Sequence, residues 1–110
     1  MKLEKGKAYY EVSFSTHDVE IPEIDTYIYI GFDLFNAGKG DHFFQSPWSY
    51  FSHGDFTKIT DPKLKPKAQI CVMPSEIVET LYSLQELIEY LKESAAKHPE
   101  WFGVLSGRRS

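Results

Sequence analysis

Hydrophobic and polar positions alternate from Ala8 to Ser15, with Tyr10, Val12 and Phe14 on one side and Glu11, Ser13 and Ser15 on the other. A period of two predicts a half-buried strand. The polar stretch His17 to Asp25, interrupted by Pro22, reads as a loop. From Thr26 to Phe35 large side chains occupy both phases: Ile28, Ile30, Phe32 and Leu34 on one face, and Tyr27, Tyr29 and Phe35, beside Gly31 and Asp33, on the other. A second strand is predicted there, apolar on both faces and in need of cover on both. Asn36 to Gly40 (NAGKG) supplies the residues of a tight reversal, so Asp41 to Gln45 should return as the antiparallel partner. Pro47 should end or bulge that strand, leaving Trp48, Tyr50 and Phe51 in an irregular or edge segment.

Farther on, His53-Gly54-Asp55 reads as a turn and Phe56 to Thr60 as a short strand. Asp61 to Lys67 (DPKLKPK) reads as a loop held extended by its prolines, and Ala68 to Met73 as a short buried strand. Pro74 and Ser75 then open a helix, with Ser75 as N-cap and Glu76 in the first turn. Ile77, Leu81, Leu84, Ile88, Leu91 and Ala95 recur at spacings of four and three as one continuous apolar stripe, and Pro99 should end the helix near Lys97 or His98. Such a helix, about 22 residues and roughly 33 Å long, is matched to lie across a sheet of four or five strands.

The expected fold is therefore α+β: an antiparallel sheet of four to five strands with one long C-terminal helix packed on its Ile28/Ile30/Phe32/Leu34 face. The opposite face, with Tyr27, Tyr29 and Phe35, is expected to stay partly open unless the Trp101-Phe102 segment, a second subunit or a binding partner covers it.

Length and composition bound this picture. The chain of 110 residues, 42% hydrophobic and 25% charged, suits one soluble domain with one core. Residues 1–7 and 106–110 are expected to be flexible. No apolar run approaches a membrane span, and the lysine-rich start leads into a strand rather than a signal-peptide core, so the reading is cytoplasmic with no membrane partner. Cys71 is the single cysteine, and Ile70 and Val72 beside it point to a thiol packed in a strand rather than a nucleophile.

Charge changes the picture more. The net charge of −4 conceals an asymmetry: Glu11, Asp18, Glu20, Glu23, Asp25, Asp33 and Asp41 face only Lys39, whereas Asp55 to Lys67 is net positive. A negative front half repels nucleic-acid phosphates and favours basic partners, or metal ions where carboxylates converge; the alternative is that the acids keep an aromatic-rich chain soluble. The aromatic region has no interleaved basic patch, so direct nucleic-acid binding is not expected.

The chemical motifs are weak. His17-Asp18, Asp41-His42 and His53-x-Asp55 pair histidines with acids, and the last has the spacing of a facial iron triad. The barrel that carries such a triad needs more strands than this chain can form, and a turn explains the segment, so no metal or cofactor is expected. Gly38-Lys39-Gly40 lacks the length and following residues of a P-loop and reads as a hairpin loop. No serine sits in a G-x-S-x-G turn, and no catalytic residue is assigned.

What remains is a surface. Tyr29, Asp33, Trp48 and Tyr50, with the acids Asp18, Glu20, Glu23, Asp25 and Asp41, are expected to form a mixed aromatic and acidic patch, the kind in which rigid rings carry contact and carboxylates steer a basic partner. The functional expectation is a non-enzymatic protein-binding domain: an acidic inhibitor or immunity-type protein that neutralises a basic partner such as a nuclease toxin. Phe32, Phe43 and Phe44 could instead pack a core, or the seam of a homodimer formed through the uncovered sheet face. The alternative function is a small ligand- or metal-binding enzyme using His42, His53 and nearby carboxylates.

Overall fold

The alternating N-terminal segment and the aromatic stretch pair as predicted. In the computed structural model, which describes residues 2–14 and 22–101, β1 (Ala8–Phe14) and β2 (Pro22–Phe32) run antiparallel from Ala8 opposite Ile28 to Phe14 opposite Pro22. β2 therefore begins four residues before Thr26, inside the stretch expected to be a loop. β3 (His42–Gln45) and β4 (Ile70–Met73) complete a four-stranded antiparallel sheet in chain order. The fold is α+β. Before β1, Gly6 N–H donates to Tyr29 C=O at 2.8 Å and Glu4 N–H to the Tyr9 hydroxyl at 2.8 Å. The 106–110 expectation lies outside the described residues.

A β-bulge re-phases β2. Tyr29 pairs with Phe44, but the next pair is Gly31 with Phe43, so Ile30 and Gly31 together oppose one residue. Gly31 adopts φ 150, and a Cβ there would meet Leu34 Cδ2 at 2.6 Å, which is why the position takes glycine. Beyond the bulge the alternation slips by one. Phe32 consequently joins the Tyr29 face, its ring 5.0 Å from that of His42, and Phe35 joins the other face, 5.2 Å from Phe43. The sequence pattern had placed each on the opposite side, because strict alternation cannot register an extra residue.

The helical expectations are corrected in two places. Ser46-Pro47 starts a helix, α1 (Pro47–His53), where irregular or edge structure was expected: the Ser46 hydroxyl accepts the Ser49 N–H, Pro47 occupies the first turn, and Gly54 at φ 87 closes the end. The single long helix is two pieces, α2 (Ser75–Val78) and α3 (Leu84–Lys97), separated by residues 79–83, in which Tyr82 bridges to Tyr10. Ser83 restarts the helix through a capping box with Glu86, a local alternative that outcompetes continuation. The six-residue stripe accordingly does not dock as one surface: Leu81 is buried, while Ile77, Leu84 and Ile88 are exposed. Phe56–Thr60 is likewise no strand; Phe56–Lys58 forms a 3-10 turn capped by Asp55.

Which elements cover which face follows from these corrections. Val78 and Leu81 pack with Tyr9, Tyr29, Phe44 and Met73, and Leu3, Tyr27 and Cys71 join at the margin. α2 and the Leu81 that follows it thus cover the tyrosine face, while α3 lies against β1. The isoleucine face, with Ile28, Ile30 and Phe43 buried, lies under α1 and the segment after it, which contributes the buried Ile59. Gln45 and Ser49, both 0% exposed, join the two layers: Gln45 Nε2 donates to Ser49 Oγ (2.9 Å) and Gly54 C=O (3.0 Å), Gln45 Oε1 accepts Phe56 N–H (2.9 Å), and Ser49 Oγ accepts Gln69 N–H (3.0 Å). Both faces of the central part of β2 are therefore covered within the chain, where Ile28, Tyr29 and Ile30 are buried, whereas Ile24 and Phe32 toward its ends are exposed.

Candidate protein-binding surface

β1 and β2 outrun the rest of the sheet. β3 ends at Gln45, opposite Ile28, because Ser46 and Pro47 turn the chain into α1 and proline has no N–H to offer the ladder. Residues 9–14 and 22–27 continue past β3 as a two-stranded ribbon, bridged on its β1 side by Tyr82. On the face that begins with Tyr9 and Tyr27, the next pairs are Glu11 with Asp25 and Ser13 with Glu23. Three carboxylates thus project from one side of the ribbon, two of them directly opposite each other.

Their electrostatic effect is visible on the neighbouring tyrosine. The Tyr27 hydroxyl donates to Glu11 Oε1 at 3.4 Å. Burial, and then the charges of Glu11 and Asp25, push its pKa up to about 12, because ionisation would place a third negative charge in a partly desolvated spot. Burial and, secondarily, Glu11 also push the Cys71 thiol up, which disfavours the thiolate a nucleophile needs.

The remaining expected residues do not gather here. Asp18 and Glu20 fall in the β1–β2 connection, outside the described residues. Asp33 and Asp41 sit together at the other end of β2, where Asp33 N–H donates to Asp41 C=O at 2.8 Å and the Asp33 carboxylate accepts Gly38 N–H at 3.2 Å. Asp33 adopts φ 48 and shapes the turn that connects β2 to β3. Tyr29 is 6% exposed and belongs to the core, its hydroxyl 3.1 Å from His42 Nδ1. It is removed from the contact surface by burial against Tyr9 and Phe44. Trp48, on α1, is on the layer over the isoleucine face and is 64% exposed, with Phe51 one turn away at 79%; Tyr50 is half-buried beside it. The patch therefore divides into an acidic ribbon face (Glu11, Glu23, Asp25), an acidic turn (Asp33, Asp41) and an aromatic helix face (Trp48, Phe51).

Two surface residues escaped the sequence reading: Glu11 as a member of the acidic face, and Phe51 as the partner of Trp48. Glu11 was visible as the polar member of an alternating strand, but its apposition to Asp25 needed the register. Phe51 was legible from the Ser46-Pro47 start and Gly54 stop of a helix, which put Trp48 and Phe51 at i and i+3.

His42 and His53 do not converge, and His17 lies outside the described residues. His42 lies on the tyrosine face against Tyr29 and Phe32, whereas His53 belongs to α1 on the other side of the sheet, its ring 5.3 Å from Trp48. Asp55 accepts Thr57 N–H (2.9 Å) and Thr57 Oγ1–H (2.7 Å), as a turn cap does. No group of three or more His, Cys, Asp or Glu residues suited to a metal ion occurs among the described residues. A cleft of about 210 Å³ between β1 and α3 is lined by Phe14, Tyr90, Glu93, Ser94, Lys97 and His98. No helix among the described residues is long and apolar enough to cross a membrane. The chain matches no protein-family model, no curated protein and no solved structure, so its functional reading rests on residues and geometry.

Proposed function

We propose that this chain is a non-enzymatic protein-binding domain whose acidic ribbon face engages a basic partner, in the manner of an inhibitor or immunity-type protein that neutralises a cationic target such as a nuclease toxin. The supporting observation is Glu11 standing directly opposite Asp25. Like charges in a cross-strand pair oppose folding, and no lysine or arginine among the described residues forms an ion pair with either carboxylate. An arrangement that works against the isolated fold gains a reason if a cationic partner neutralises it on binding. The exposed Trp48 and Phe51 supply a second, aromatic contact area on the far side of the sheet.

The reading is tested by charge reversal. Glu11→Lys/Asp25→Lys keeps like charges opposite each other while the sign of the face inverts, and circular dichroism checks that the variant stays folded without the Tyr27–Glu11 bond. Capture from source cells should yield a basic protein that the wild-type chain holds less tightly as salt rises and that the double variant releases. Capture indifferent to both salt and charge reversal would remove the electrostatic reading.

A further inference from the structure

Among the described residues, the ribbon carries an unpaired strand edge as well as a charged face. Tyr29 N–H donates to Lys7 C=O at 3.0 Å, so the backbone groups of β2 residues two and four positions earlier, Tyr27 and Asp25, also point toward β1. On the outer side of β1, Tyr10 exchanges bonds with Tyr82, which fixes the same alternation from the other strand. The N–H and C=O groups of Ile24 and Thr26 consequently point away from β1, to the side where β3 would continue. There β3 has already turned off at Pro47. Among the described residues no strand pairs with this stretch of β2 on the side away from β1.

Resting on the reading of a basic partner, we infer that this edge is where that partner docks: an extended segment of the partner adds to β2 as an antiparallel or parallel strand through Ile24 and Thr26, carrying Lys or Arg at alternate positions on the side of Glu23, Asp25 and Glu11. The main-chain bonds supply register and the carboxylates select the occupant. A second copy of this chain is a poor occupant, because apposing two such edges brings Glu23 and Asp25 against their own counterparts; charged residues beside an open edge oppose self-pairing. The segment's other alternate positions would meet the opposite ribbon face, where Ile24 is 39% exposed and Val12 is half-buried, so they are apolar. The other free edge, that of β4 at Ile70 and Val72, has no such acids on its strand, ICVM.

A short peptide alternating lysine with valine is the probe, read by backbone amide hydrogen exchange on the full chain. The amides of Ile24 and Thr26 should exchange fast in the free protein and slow by about tenfold or more with the peptide present, whereas a glutamate–valine peptide should leave them unchanged. No slowing at these two amides, or slowing at Ile70 and Val72 in their place, overturns the inference. Thr26→Pro is the companion variant, since it deletes an N–H that points away from β1 and so leaves the β1–β2 ladder its bonds. It should abolish peptide binding and weaken capture of the basic partner at least tenfold. Salt-sensitive capture that survives Thr26→Pro sinks the edge inference and leaves the acidic face standing; indifference to charge reversal sinks the acidic face itself.

Discussion

Tyr82 and Tyr10 exchange two backbone hydrogen bonds, at 2.9 and 2.8 Å, so the chain leaving α2 is fastened to the outer edge of β1 before α3 begins. That fastening lets Val78 and Leu81 strap the tyrosine face, and it sets Tyr82 against Tyr90, ring centroids 5.5 Å apart.

The restart at Ser83 is the first point to test. Ser83 Oγ accepts Glu86 N–H at 3.2 Å, and Ser83 N–H donates to Glu86 Oε1 at 2.9 Å. Ser83→Ala should destabilise the protein by about 1 kcal/mol in urea denaturation. The bonds from Ser83, backbone first, hold the Glu86 carboxyl below its ordinary range. A group lowered in the folded state contributes above its unfolded value, and that contribution is lost as pH falls through the lowered one. Acid titration by circular dichroism should therefore show a loss that Glu86→Gln, which keeps a capping acceptor but cannot titrate, removes.

Gln45 holds the second layer together. Replacing it by Leu strands Phe56 N–H and removes the donors to Ser49 and Gly54, and an unsatisfied buried group of this kind should lower stability by about 2 to 3 kcal/mol. Thermal unfolding measures the loss.

At the bulge, Gly31→Ala should destabilise by about 1 to 3 kcal/mol, since φ 150 suits glycine and the added methyl would press on Leu34. A wild-type melting temperature for this variant would show that β2 can run through without the bulge.

Glu11→Gln should stabilise the free chain by about 0.2 to 1 kcal/mol by relieving its apposition to Asp25, while weakening capture of the basic partner. An NMR titration of the tyrosine ring carbons should find Tyr27 titrating near 12 in the wild type and lower in the variant, though not at the ordinary tyrosine value, because burial is the largest cause of the rise. The sign follows: a group raised in the folded state contributes stability below its ordinary value, and that contribution is lost as pH climbs from there through about 12.

On the aromatic face, Trp48→Ala and Phe51→Ala should each change stability by no more than about 0.5 kcal/mol, because both side chains are mostly in solvent. Reduced partner capture by either variant would mark α1 as part of the interface.

Much of this was written locally. The alternation of Ala8–Phe14, the NAGKG reversal and the short ICVM strand stand in the structure as the residues imply, and together they give the antiparallel sheet. The capping signals Ser46-Pro47 and Ser83-x-x-Glu86 were present too, yet a longer pattern masked each: the strand before Pro47, and the apolar stripe running from Ile77 to Ala95. A stripe records which side of a helix is apolar and is silent on whether the helix continues.

Sequence alone determined the α+β class and the four segments that pair in the sheet, because periodicity and turn chemistry act over a few neighbouring residues. The tertiary structure decided which face each cover takes, that Tyr29 is core while Glu11 stands beside Asp25 on the ribbon, and that among the described residues no strand continues the ladder beside Ile24 and Thr26. Those outcomes depend on strand register, on one extra residue at Ile30–Gly31 and on a bridge between positions 10 and 82, contacts between segments far apart in the chain that no local pattern encodes.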